Sequence, residues 1–221
     1  MSDRFDFDDG LDLVPAHRHR NPDGTLGGWV ANSATVAPTA TVGYAAKVFG
    51  SAFVIQHAKV LNHARVFGNA RIVGNAEISG FAQVYGSCFI EHCAVVTDYA
   101  VVIDNVWVAG DSRIADNAQI TGHALVTGNA IIKDNARVTG KAHVTNNATI
   151  KDWAVVSGNA MVSDQAVVCE NAQITKKAEV GGNSIVGGHV TLATGSYHNY
   201  GSHAIATKAI AALLDIDAAI G

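Results

Sequence analysis

The sequence predicts an all-β chain wound into a parallel β-helix. It should have about nine three-sided coils of 18 residues, an N-terminal cap and a C-terminal α-helix. Three observations carry this. Every sixth residue from Val30 to Leu192 is Val, Ile or Leu, 28 positions without a break. The residue two places earlier, from Ala34 to Val190, is alanine except at Cys88, Val106, Ser112, Ser184 and Val190. Two places after the aliphatic comes a turn former, as at Gly68, Gly74, Gly80, Gly86, Asp98, Asp104, Gly110, Asp116 and Gly122, often followed by Asn.

A six-residue period is neither helical nor a simple hairpin alternation, and self-similarity of this kind marks a repeat architecture. Within a unit the small residue and the aliphatic are two apart, so in a strand they share one face. The Gly-Asn and Asp-Asn pairs that follow supply the backbone freedom for a bend. Three strands and three bends close a triangular coil, and coils stack about 4.8 Å apart. Each coil buries three aliphatics, each contributing roughly 1.5–3 kcal/mol before entropy is subtracted. Alanine is expected near the corners, where converging walls exclude larger side chains. The stack, residues 29–194, would be roughly 45 Å long at this spacing.

Residues 1–28 lack the repeat and are expected to cap the first coil, since an open strand edge invites polymerisation. Asn-Pro-Asp-Gly at 21–24 is a turn signal, and Trp29 is the residue expected to cover the first coil. The repeat stops after Leu192. Residues 195–221 are read as a linker and an amphipathic helix. Ser202 is its N-cap, and Ile205, Ala209, Leu213, Ile216 and Ile220 recur at three- and four-residue steps.

Units such as Val138-Thr-Gly-Lys-Ala142-His and Val162-Ser-Asp-Gln-Ala166-Val resemble the hexapeptide repeat of left-handed parallel β-helices, found in bacterial acyltransferases. The resemblance covers about three quarters of the chain. It implies left-handed coiling and a threefold trimer; a right-handed helix of bactofilin type is the alternative, since ordinary parallel crossovers are right-handed. The opening segment is similar to those of uncharacterised, often phage-encoded, hexapeptide-repeat proteins.

Residues 18 apart stack into columns. One outward column reads Phe53, Arg71, Phe89, Trp107, Leu125, His143, Met161, Glu179; a second reads Phe49, Phe67, Tyr85, Ile103. Apolar columns of this size mark interfaces. Phe53, Phe89, Trp107, Leu125, Met161, Phe49, Phe67 and Tyr85 are therefore the expected contacts of a homotrimer. The other reading is a monomer with its C-terminal helix folded over one face. A corner column reads His63, Phe81, Tyr99, Asn117, Asn135, Trp153. Columns of Thr121, Thr139, Ser157 and Thr175 lack the paired threonines of ice-binding arrays.

The family's acyltransferases use a histidine base on an acyl-CoA thioester. The candidates are His57, His63, His92, His123, His143 and His189, of which His143, on the apolar column, is preferred. No surrounding motif supports any of them, and no extruded loop interrupts the 28 units to supply a lid. The expected function is therefore a non-catalytic structural or binding rod with no cofactor, such as a phage virion or assembly component that meets other structural proteins. The alternative is a CoA-dependent O- or N-acyltransferase using acetyl-CoA between subunits.

Composition narrows the classes further. The chain has 221 residues, 48% hydrophobic and 15% charged, with net charge -4 and pI about 6.2. No basic stripe points to nucleic acid, and no apolar run reaches the ~18–20 residues of a membrane span. The acidic N-terminus has no secretory h-region. Cys88, Cys93 and Cys169 form no disulfide framework, which leads us to expect free thiols in a cytoplasm, or in a virion if the chain is phage-encoded. His17 and His19 near Asp23, and His198 with His203, lack the spacing of a zinc site, so no metal is expected.

Overall fold

A computed structural model describes residues 3–10, 12–199 and 204–205. The described residues are all β, as expected. Each six-residue unit contributes a two-residue strand, such as Phe53–Val54 or Thr149–Ile150, whose first residue faces out and whose second is buried. From Trp29 to Leu192 the strands of the repeat pair in parallel 18 residues apart: Phe53 with Arg71, Arg71 with Phe89, Phe89 with Trp107. The strands fall into three sheets, one of twelve strands and two of ten. These are the walls of a β-solenoid. The first wall carries Trp29, Lys47 and Arg65 on its outer surface, the second Phe53 to Glu179, the third Thr41, Lys59 and Glu77.

The lumen is filled by the six-residue series. Val42, Val48, Val54 and Ile72, and the alanines between them, are fully buried in one continuous core. Between walls the chain turns over four residues, closed by a hydrogen bond such as Ala58 N–H to the Ile55 carbonyl at 3.4 Å. The alanine ends that turn. The residue two past the aliphatic takes a left-handed backbone: Gly110 has φ +75°, Asp134 +59°, Lys176 +52°. A Cβ on Gly110 would lie 2.5 Å from the Gly128 carbonyl oxygen of the next coil, which explains glycine there. The outward N–H groups point along the stack to the next coil, as from Phe53 to Ala70 at 2.8 Å.

At the N-terminus the first wall is extended by antiparallel strands β1 (Asp3–Phe5), β2 (Val14–Arg20) and β3 (Leu26–Ala31). This segment closes the base of the stack through side chains. His19 Nε2 lies 3.0 Å from the Ala40 carbonyl, and Asn21 Oδ1 accepts the Val42 N–H at 2.9 Å. Both occupy backbone groups at the first turn. Trp29 does not cover the coil. Its neighbour Val30 fills the lumen, so Trp29 faces outwards, stacked on Phe5 at 4.5 Å with the Arg18 guanidinium 4.7 Å from its ring.

At the other end the chain continues the stack past residue 194. Ser196–Asn199 pairs in parallel with Glu179–Gly182, and Ala204–Ile205 with Ile185–Val186. Strand therefore stands where a linker and the first turn of a helix were expected. The register of the third wall outweighs the weak local helix signal at Ala204 and Ile205. The rest of the expected helix, from 206 on, and Ser202 lie outside the described residues.

Candidate functional site

The second wall holds the predicted apolar column in the predicted register. Phe53 is 38% exposed and Trp107 47%; Phe89, Leu125 and Met161 are half-buried. The Arg71 guanidinium spans the gap between Phe53 and Phe89, 5.4 and 6.0 Å from their ring centres. Trp107 tilts against Phe89 and donates its indole N–H to Glu91 at 2.8 Å. The result is a wall whose outward column is mostly hydrocarbon and aromatic ring, interrupted by the exposed side chains of Arg71 and His143.

The second predicted column is different. Phe49, Phe67 and Tyr85 do stack, at 4.7 and 4.5 Å. Phe49, however, is buried beneath Phe7 of the N-terminal segment, 4.9 Å away and nearly parallel. Phe49 thus contacts the chain's own cap and is not exposed to a partner. Arg65 fastens the strap, donating to the Phe7 and Asp8 carbonyls at 2.7 and 3.2 Å, and Lys47 pairs with Asp8. Beside it lies a cavity of about 230 Å³ lined by Phe7, Asp9, Val14, Ser33, Phe49 and Phe67, among others.

His143 is on the second wall between Leu125 and Met161, as predicted, and it is exposed. Its ring makes no hydrogen bond among the described residues. A catalytic histidine is held in one tautomer by a second group on its other nitrogen, and none of the described residues supplies that group to His143. His57, His63, His92, His123 and His189 are exposed at turns. They are dispersed along the rod. His63 stacks on Phe81, with ring centres 4.8 Å apart. The best-embedded histidine is His19, whose burial lowers its pKa and whose ring serves the cap. Its partner in the weak metal pattern, His17, bonds to Asn32 instead, at 2.9 Å. Among the described residues no three His, Cys, Asp or Glu side chains converge on a metal-sized point. His203 lies outside those residues.

The cysteines are free. Cys88 takes an alanine position, and burial pushes its thiol up to about 12. Burial also raises Cys169, while its S–H reaches the Val186 carbonyl at 3.7 Å. Neither is poised as a thiolate.

One feature escaped the sequence reading. At the edge between the third and first walls, Asp98, Asp116, Asp134, Asp152 and Glu170 stand in one column. Each carboxylate accepts the backbone N–H of the residue directly above, at 3.4, 3.1, 3.2, 3.0 and, for Glu170 with Gly188, 2.6 Å. The left-handed residue's N–H has no backbone carbonyl within reach, so the acid below completes it. Reading every eighteenth residue at the turn position, rather than every sixth, would have found this column.

A family model described as YdcK Beta solenoid repeat matches residues 154–170. That stretch, about one coil, carries Ala154, Val156, Ala160, Val162, Ala166 and Val168 in the lumen. It is thus similar to a β-solenoid repeat in sequence as well as in structure. No curated protein matches the chain.

Proposed function

We propose that the chain is a non-catalytic rod of the hexapeptide-repeat type that acts through its side wall. It assembles as a homotrimer through the second wall and serves as a stiff structural or binding element, for instance in a phage virion or its assembly. The observation that carries this reading is the exposed column of Phe53, Phe89, Trp107, Leu125 and Met161. A largely apolar column on a rigid solenoid, with five of its seven successive coils from Phe53 to Met161 contributing Phe, Trp, Leu or Met, gains most by facing another surface that covers it. The turns between Val36 and Glu179 support the same reading, because each is four residues long and none of them extends into a loop that could close over a substrate.

A second reading has one observation in its favour. His143 lies on the same wall, so trimerisation would bring it into the cleft between rods, where the resemblance puts a CoA-dependent acyltransferase site. Acetyl-CoA decides between them. The rod reading predicts no saturable heat on titration with acetyl-CoA and no rise in melting temperature. Saturable binding that is lost in His143→Ala, with the oligomer intact, would replace it with the acyltransferase.

A further inference from the structure

The edge between the third and first walls lies opposite the second wall, so it stays open whether or not the rods associate. It carries a second row of large exposed side chains. His63, Phe81 and Tyr99 stack at successive coils, 4.8 and 5.1 Å apart and within 4° of parallel. Tyr99 is 61% exposed, and its upper ring face is free, because the next residue in the column is Asn117. Asn135 follows, and then Trp153, 63% exposed. Three coil rises separate Tyr99 from Trp153, about 14 Å. Between them is a notch with an aromatic residue at each end and two short amides as its floor.

The polar groups of this notch are unspent. Among the described residues the side chains of Asn117 and Asn135 make no hydrogen bond, nor do the Tyr99 hydroxyl and the Trp153 indole N–H. This does not follow from the 18-residue spacing, for at the edge between the second and third walls Asn129 donates to Asn147 at 2.9 Å. Asp116 and Asp134 border the floor, each with one carboxylate oxygen already holding the backbone above. Their charge is countered in part by Lys133, 3.9 Å from Asp134.

We infer that this notch binds a neutral oligosaccharide. Such a chain offers, at regular intervals, C–H faces that pack on aromatic rings and hydroxyls that both donate and accept. The notch offers matching partners: ring surfaces at the ends, amides that donate and accept on the floor, and acceptor oxygens along one side. A purely apolar ligand would leave the two amides desolvated and unpaired.

The test is calorimetric titration of the full chain with cellohexaose, chitohexaose, maltohexaose and mannohexaose, with hexalysine as a cationic control. One of the hexasaccharides is expected to bind saturably. Tyr99→Ala and Trp153→Ala should each weaken it about tenfold or more, equivalent to about 1.4 kcal/mol. Asn135→Leu should also weaken it, and Trp107→Ala, on the opposite wall, should leave it unchanged. Both aromatic side chains are exposed, so unchanged circular dichroism and melting temperature are expected for these variants. Binding of none of the four sugars, sugar binding indifferent to Tyr99 and Trp153, or binding of hexalysine alone would each overturn the assignment. The oligomeric state does not enter the readout.

Discussion

Ala148 and Thr149 are adjacent and obey opposite rules. Ala148 closes a turn and is fully buried where two walls converge; Thr149 is the outward residue of its strand. Ala148→Leu should overpack the corner and cost about 1–3 kcal/mol in a denaturant titration. Thr149→Ala should change stability by less than about 0.5 kcal/mol. A neutral Ala148→Leu would place that position outside the lumen. Asp134 separates two further effects, its left-handed backbone and its bond to the Asp152 N–H. Asp134→Ala should cost about 1–2 kcal/mol, because it loses the bond and the short polar side chain that helps aspartate adopt this backbone. Asp134→Gly loses the same bond but relieves the penalty of a Cβ at positive φ, so it should cost less, under about 1 kcal/mol. Equal losses would remove the conformational share. The lumen residues were legible in the sequence because packing acts on every sixth position alike. The acid column was not, because an aspartate at a turn reads as a turn former whatever else it does, and the same bond to the coil above recurs singly at the other edges, from Asp104 to Gly122 and from Asp164 to Gly182.

At the scale of elements, the walls announced themselves and the ends did not. Most strands of the repeat are only two residues long, and their identity comes from the partner 18 residues away rather than from local propensity. The same logic explains Ala204–Ile205, where stacking overrides a helical pattern. The cap was expected, but its means were not. Its fastening depends on His19 and Asn21 reaching backbone groups of the first turn, and no periodicity encodes that. His19 gives the cap a pH dependence. Burial lowers its pKa below the ordinary 6.5, so the folded form favours the neutral ring, and an unfolded cap binds a proton more readily. Cap stability should therefore be complete above about pH 6.5 and fall as pH drops towards the lowered folded value. Amide exchange of β2 and β3 should quicken between pH 6.5 and 5, after correction for intrinsic rates. In His19→Gln that extra quickening should vanish. A cap equally protected across this range would show that His19 does not hold it.

At the scale of the molecule, a solenoid whose interior is filled with Val, Ile and Ala has no room for chemistry inside, so function falls to its outer surface. Three walls and three edges are available, and they differ. The second wall is apolar, the edge opposite it is aromatic and acidic, and Phe49, Phe67 and Tyr85 adjoin the cap strap. Which outward residues share a column was readable once the 18-residue coil was known, and the register of Phe53 with Arg71, Phe89 and Trp107 bears it out. Which columns are covered was not readable, because Phe7 reaches Phe49 from a segment outside the repeat. The wall accounts for the proposed assembly, and sedimentation equilibrium at micromolar concentration tests it most directly. The expected mass is three times the 23.0 kDa of one chain, falling to a single chain in Trp107→Arg/Leu125→Arg. A wild-type chain that sediments as a 23.0 kDa monomer would contradict the account.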